Sequence, residues 1–120
     1  MRSLVLAVVV TLGSVCFATC GDEATSPDDL PWLADLIQRL ELAPVRDPPA
    51  SITEYRYKGE RVYYVPPACC DIFSDLYDRE GHLICHPEGG LRGGGDGGCP
   101  DFAATRSGGR LIWRDDRPGR

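Results

Sequence analysis

The sequence lacks the arrangements that enzyme chemistry needs. Its two histidines, His82 and His86, stand four apart, and Ser51, Ser74 and Ser107 lie in no nucleophile elbow, so no nucleophile comes with a base and an orienting group. No Cys-x-x-Cys, EF-hand spacing or repeated Gly-Asp unit occurs, and no glycine-rich loop follows a strand and opens a helix as a phosphate cradle does. An enzyme is therefore not expected, and neither is a cofactor. A membrane-spanning run is missing too. Behind Arg2, the stretch Leu4 to Val15 is apolar except for Thr11, Gly13 and Ser14, which is too short to cross a bilayer comfortably and fits a secretory signal.

Basic charge is scarce in the body of the chain. Seven basic residues face sixteen acidic ones between Cys20 and Phe102, a net charge of −9, while residues 103–120 carry five arginines against two aspartates. A domain of that sign does not bind phosphate backbones, so no nucleic-acid partner is expected.

What is present is cysteine. Cys16 and Cys20 close the hydrophobic stretch, and Cys69, Cys70, Cys85 and Cys99 fall in the second half. In an exported chain, thiols at such spacings pair. Cleavage after Ala18 leaves five cysteines, whereas lipidation of Cys20 leaves an even four; Phe17-Ala18-Thr19-Cys20 resembles a lipobox loosely. The reading adopted is a signal peptide over 1–20 with a lipid-anchored Cys20, and the alternative is a soluble secreted or periplasmic protein. Residues 21–27 are acidic and polar and read as a tether. Residues 28–102 read as one small disulfide-stapled domain, and 103–120 as a disordered basic tail.

The domain should begin with a helix. Asp28 or Asp29 can cap it, Pro31 suits the first turn, and Leu33, Leu36, Ile37 and Leu40 recur on one face. A hairpin follows from Ile52 to Tyr57 and Glu60 to Val65 around Lys58-Gly59, pairing Tyr55 with Val62, Thr53 with Tyr64 and Glu54 with Tyr63. A smaller hairpin joins Ile72–Tyr77 to Leu83–Cys85 through the turn at Asp78 to Gly81. The fold class is α+β, one N-terminal amphipathic helix packed on a small antiparallel sheet of two hairpins. Because adjacent cysteines rarely bond to each other, two connectivities are expected: Cys69–Cys85 with Cys70–Cys99, or Cys69–Cys99 with Cys70–Cys85.

The segments Leu30-Pro31-Trp32-Leu33, Tyr55-Arg56-Tyr57-Lys58-Gly59, Val62-Tyr63-Tyr64, Cys69-Cys70-Asp71, Leu76-Tyr77-Asp78, Leu83-Ile84-Cys85 and Gly95-Asp96-Gly97-Gly98-Cys99-Pro100-Asp101-Phe102 resemble a family of small bacterial secreted proteins and lipoproteins classed as a domain of unknown function. The resemblance covers about Asp29 to Phe102. It implies an exported compact domain and supplies no catalytic residues.

The expected role is a non-enzymatic binding or cell-envelope structural protein, with an envelope protein or ligand as partner and the membrane engaged through the lipid. Tyr55, Tyr57, Tyr63 and Tyr64 are candidate partner anchors, because Tyr joins an apolar ring to a polar tip. One alternative is a calcium site in the Gly89–Gly98 loop, seven glycines in ten residues, with Asp96, Asp101 and Glu88 supplying oxygens. Another metal reading takes His82, Cys85, His86, Cys69, Cys70 and Cys99 as soft ligands. A protease-inhibitor-like module is a further alternative.

Overall fold

The computed structural model describes residue 13 and residues 25–69 and 71–119. The expected signal peptide, the lipidated Cys20, most of the tether and Cys70 lie outside the described residues.

A short 3-10 turn, Pro27–Asp29, leads into helix α1, Pro31–Leu42. Asp28 and Asp29 do not cap α1. They belong to the turn before it, where the Asp28 N–H donates to Ser26 Oγ and Ser26 N–H donates to the Asp29 carboxylate. The helix starts at Leu30 with no side-chain cap, and Pro31 in its first turn has no N–H to leave unsatisfied. Leu33 and Leu36 are buried against the sheet, each contributing about 1.5–3 kcal/mol.

Five strands form one antiparallel sheet in the order β4-β3-β2-β1-β5: β1 is Ser51–Tyr57, β2 Glu60–Val65, β3 Asp75–Tyr77, β4 Leu83–Cys85 and β5 Ser107–Arg114. The β1–β2 register has Thr53 opposite Tyr64, Glu54 opposite Tyr63 and Tyr55 opposite Val62, as the alternation of side chains requires. Lys58 and Gly59 both take positive φ, 51° and 79°, the geometry whose twist matches a two-residue hairpin.

The two faces of the sheet carry separate cores. On one, α1 packs Leu33 and Leu36 onto Ile52, Tyr63 and Val65, with Trp32, Ile37, Leu40, Tyr77 and Trp113 around them. Trp32 also donates from Nε1 to the Arg79 carbonyl at 2.7 Å, tying the helix to the β3–β4 turn. On the other, Tyr57, Val62, Tyr64 and Leu76 meet Cys85, Cys99 and Phe102, the last opening a one-turn helix α2, Phe102–Thr105.

The expected disordered tail is an edge strand. Its arginines read as a solvated run, but Leu111, Ile112 and Trp113 continue an apolar pattern and β5 pairs along most of β1. Beyond it, Arg117 is held by the buried Asp115 at 2.7 Å and donates to the carbonyls of Leu40 and Ala43. It thereby closes the end of α1, where the last carbonyls have no intrahelical partner.

Both expected disulfide connectivities are overturned. Cys85 and Cys99 bond to each other, Cα atoms 6.1 Å apart, because the glycine loop returns the chain to the end of β4. Cys69 is also disulfide-bonded.

Candidate functional site

The candidate site sits where the chain enters β3 and leaves β4. Ser74, fully buried, knots the two segments: its N–H donates to the Glu88 carbonyl at 2.9 Å, and its Oγ accepts from the Glu88 N–H at 2.9 Å. The loop after Glu88 then folds back on itself. Gly95 N–H donates to Gly89 O and Asp96 N–H to His86 O. Gly89 and Gly95 have positive φ, and a Cβ on them would lie 2.2 Å from the Ile72 carbonyl oxygen and 2.0 Å from that of His86, so only glycine lets the backbones approach. The loop is held by its own backbone hydrogen bonds, although most of its residues face solvent.

Its outer side forms a cavity of about 520 Å³ lined by Asp71, Phe73, Gly89, Gly90, Leu91, Arg92 and Gly95. Phe73 forms one wall, stacked at 5.2 Å on the His86 ring. His86 Nδ1 lies 2.8 Å from the Ser74 carbonyl and 2.9 Å from an Asp75 carboxylate oxygen. Both partners accept, so Nδ1 carries the hydrogen and the ring orientation is set. Leu91 is 93 % exposed, and Ile72 and Phe73, on the approach to β3, are exposed as well. The site thus offers apolar surface beside a fixed loop, with Asp71 and Arg92 at its rim.

The carboxylates expected around a metal do not converge. Glu88 accepts from the Tyr64 hydroxyl, Asp101 from the Tyr57 hydroxyl and Asp96 from the Gly98 N–H. The Gly98 N–H holds Asp96 below the usual carboxylate range, and the Tyr57 hydroxyl does the same to Asp101. Among the described residues no group of three or more His, Cys, Asp or Glu is placed to hold a metal ion. The soft-ligand set loses Cys85 and Cys99 to their disulfide, while His82 stays with Asp78 in the β3–β4 turn.

The tyrosine anchors are mostly core. Tyr57, Tyr63 and Tyr64 are 6 %, 0 % and 7 % exposed, and Tyr55 packs between Tyr64 and Phe102, so their rings offer little to a partner. Alternation puts Tyr55, Tyr57 and Tyr64 on one face and Tyr63 on the other, and each face has a cover. The residues that do line the cavity went unnoticed. Ile72-Phe73 immediately after Cys69-Cys70-Asp71, and Leu91 as the lone apolar residue of the glycine run, were the available signs.

Residues 38–115 match the family described as Domain of unknown function (DUF6970). The chain belongs to that family. The match runs through β5, so this strand is part of the family's domain. No curated protein and no solved structure matches the chain. The Cys85–Cys99 disulfide points to an oxidising, extracytoplasmic environment for this DUF6970 protein. Among the described residues, no helix is long and apolar enough to cross a membrane.

Proposed function

We propose that this DUF6970 domain is an exported, non-enzymatic binding module of the cell envelope that captures a protein partner at the Phe73–Leu91 cavity. One observation carries the reading: the cavity exposes Phe73 and Leu91 beside a loop already fixed by hydrogen bonds. A preorganised loop spends little ordering entropy on association, and exposed large apolar side chains beside it are a surface that a partner covers. The occupant is a polypeptide segment presenting an apolar side chain between charges, because Asp71 and Arg92 flank an apolar wall. In this reading the leading segment is a cleaved signal, and Cys20 carries the lipid that keeps the module at the membrane.

The test uses the full mature chain and its Leu91→Asp and Leu42→Asp variants, the last altering an exposed leucine far from the cavity. A purified envelope protein captured by the wild type should bind saturably, lose at least tenfold in affinity with Leu91→Asp and be unaffected by Leu42→Asp. Equal loss with both variants, or with neither, rejects the cavity. For anchoring, Cys20→Ser should release the protein from membranes, and a wild-type protein already soluble with Thr19 at its N-terminus decides for ordinary secretion.

A further inference from the structure

A second site lies on the helix-bearing face of the sheet, before the start of α1, where Arg61 Nη1 donates to Thr25 Oγ1. Alternation puts Glu54 and Arg56 of β1 on that face, and the register sets Arg110 of β5 opposite Glu54 and Arg61 of β2 opposite Arg56. These four side chains line a bay of about 280 Å³, together with Ser107 and Gly108. The Glu54 side chain is 9 % exposed. Its Oε2 is shut off from solvent with no hydrogen-bond partner, and so is Arg110 Nη1, which stands 3.9 Å from Glu54 Oε1, beyond hydrogen-bond reach.

Desolvated polar atoms without partners cost free energy, and native proteins almost always satisfy them with protein, water or a ligand. Here one acceptor and one donor are unmet side by side. A ligand completing both must accept from a guanidinium and donate to a carboxylate. The unmet donor belongs to the Arg110 guanidinium, whose charge and N–H groups suit an oxyanion and not a metal ion. The Arg106 guanidinium, whose Nη1 also lacks a partner, is a different case, since it lies over the rings of Tyr55, Tyr64 and Phe102 on the opposite face.

We propose that the Glu54–Arg110 bay binds a protonated oxyanion, hydrogen phosphate or a phosphate monoester. One phosphate oxygen accepts from Arg110, and the P–OH donates to Glu54 Oε2. Sulfate and phosphodiesters carry the charge but no such proton at neutral pH, so the buried carboxylate repels them. The site is independent of the Phe73–Leu91 cavity, and its test leaves that reading untouched.

Isothermal titration of the full mature chain compares sodium phosphate, methyl phosphate, sodium sulfate and dimethyl phosphate at one ionic strength. The first two should bind saturably, at least tenfold tighter than the last two. Glu54→Gln supplies an amide N–H where the carboxylate stood, so it should admit sulfate and bring the phosphate-to-sulfate ratio near one. Arg110→Ala should weaken phosphate at least tenfold. No saturable binding of phosphate, which leaves water as the bay's occupant, overturns the proposal. Equal binding of sulfate by the wild type, or preference for dimethyl phosphate as a lipid headgroup would show, overturns it as well. The wild-type ratio needs no variant to fold.

Discussion

Strand β2 presents Tyr63 to one face of the sheet and Tyr64 to the other, and the two rings meet different covers. Tyr63 lies under a three-turn helix whose leucines and tryptophan supply apolar area, with Trp32 edge-on at 5.3 Å. Tyr64 lies under a chain made largely of glycine, proline and polar residues, in which Phe102 is the one large apolar side chain buried against it. That cover cannot hold by apolar burial alone. It is fastened by the Cys85–Cys99 bond, by tyrosine hydroxyls donating to Glu88 and Asp101, and by Arg106 laid over three rings. One face is closed mainly by hydrophobic area, the other by discrete ties, and only the second depends on redox state.

Strand β5 pairs along most of β1 and carries Ile112 and Trp113 into the helix-side core, so its loss should have the largest effect. Ending the chain after Arg106 removes the β1 edge pairing, Trp113 from the helix-side core and the Arg117 closure of α1. Circular dichroism of that truncation should show no cooperative thermal transition. A truncation that melts like the full chain would make β5 an appendage and confine the comparison to residues 31–105.

Core truncations come next. Phe102→Ala should cost about 3–5 kcal/mol and Leu33→Ala about 2–5 kcal/mol by urea unfolding. The two should differ in kind. Losing Leu33 leaves other aliphatics on the helix, whereas losing Phe102 also strips the platform from Arg106, so Phe102→Ala should expose the tyrosines of its face to near-ultraviolet detection before global unfolding. If Leu33→Ala is the costlier and Phe102→Ala is silent in the near-ultraviolet, the second face is not organised around that ring.

Much of the helix face was legible in the sequence, and the reason is periodicity. The spacing of Leu33, Leu36, Ile37 and Leu40 permits one helical face, and Lys58-Gly59 permits one tight turn, so the register followed. The second face had no period to read. Glycine allows so many backbone paths that nothing in residues 89–98 announced a return to β4, and the Cys85–Cys99 pairing depends on that return. β5 was hidden for another reason. Arg106, Arg110 and Arg117 look solvated by type, yet each stands against something that only the folded chain supplies: three rings, the Glu54 carboxylate at 3.9 Å and the end of α1. The cavity residues are single apolar side chains that no pattern groups together.

Reduction sharpens the contrast at a smaller scale. The Cys85–Cys99 bond closes a loop of sequence separation 14, worth about 3 kcal/mol in the chain-entropy view. Hydrogen exchange on Cys85→Ser/Cys99→Ser should show protection lost first at the amides of Ser74, Gly95 and Asp96, with those of α1 retained. Uniform loss across α1 and the loop would mean that the two covers unfold as one unit.

The smallest effect is on the pH dependence of stability. Asp101 is held below its ordinary value chiefly by the Tyr57 hydroxyl and Asp96 by the Gly98 N–H, both on the tied face, and Asp115 by Arg117 on the helix face. A depressed carboxyl contributes stability that is fully present above its unfolded pKa of about 3.9 and is lost as pH falls through the folded value. Tyr57 shifts the other way, raised chiefly by its bond to Asp101, so its contribution is intact below about pH 10 and is lost as pH rises through the folded value. Tyr57→Phe removes the hydroxyl from both ends of this range. It should lower stability at pH 7 by about 0.5–1.5 kcal/mol and make the loss shallower both below pH 4 and above pH 10. Arg117→Leu, its counterpart on the helix face, should flatten the acid side alone, because the group it releases is a carboxylate. Urea midpoints measured from pH 2.5 to 11 distinguish the two variants. An alkaline limb flattened by Arg117→Leu, or left steep by Tyr57→Phe, would contradict the assignment of the hydroxyl–carboxylate tie to the disulfide-bearing face.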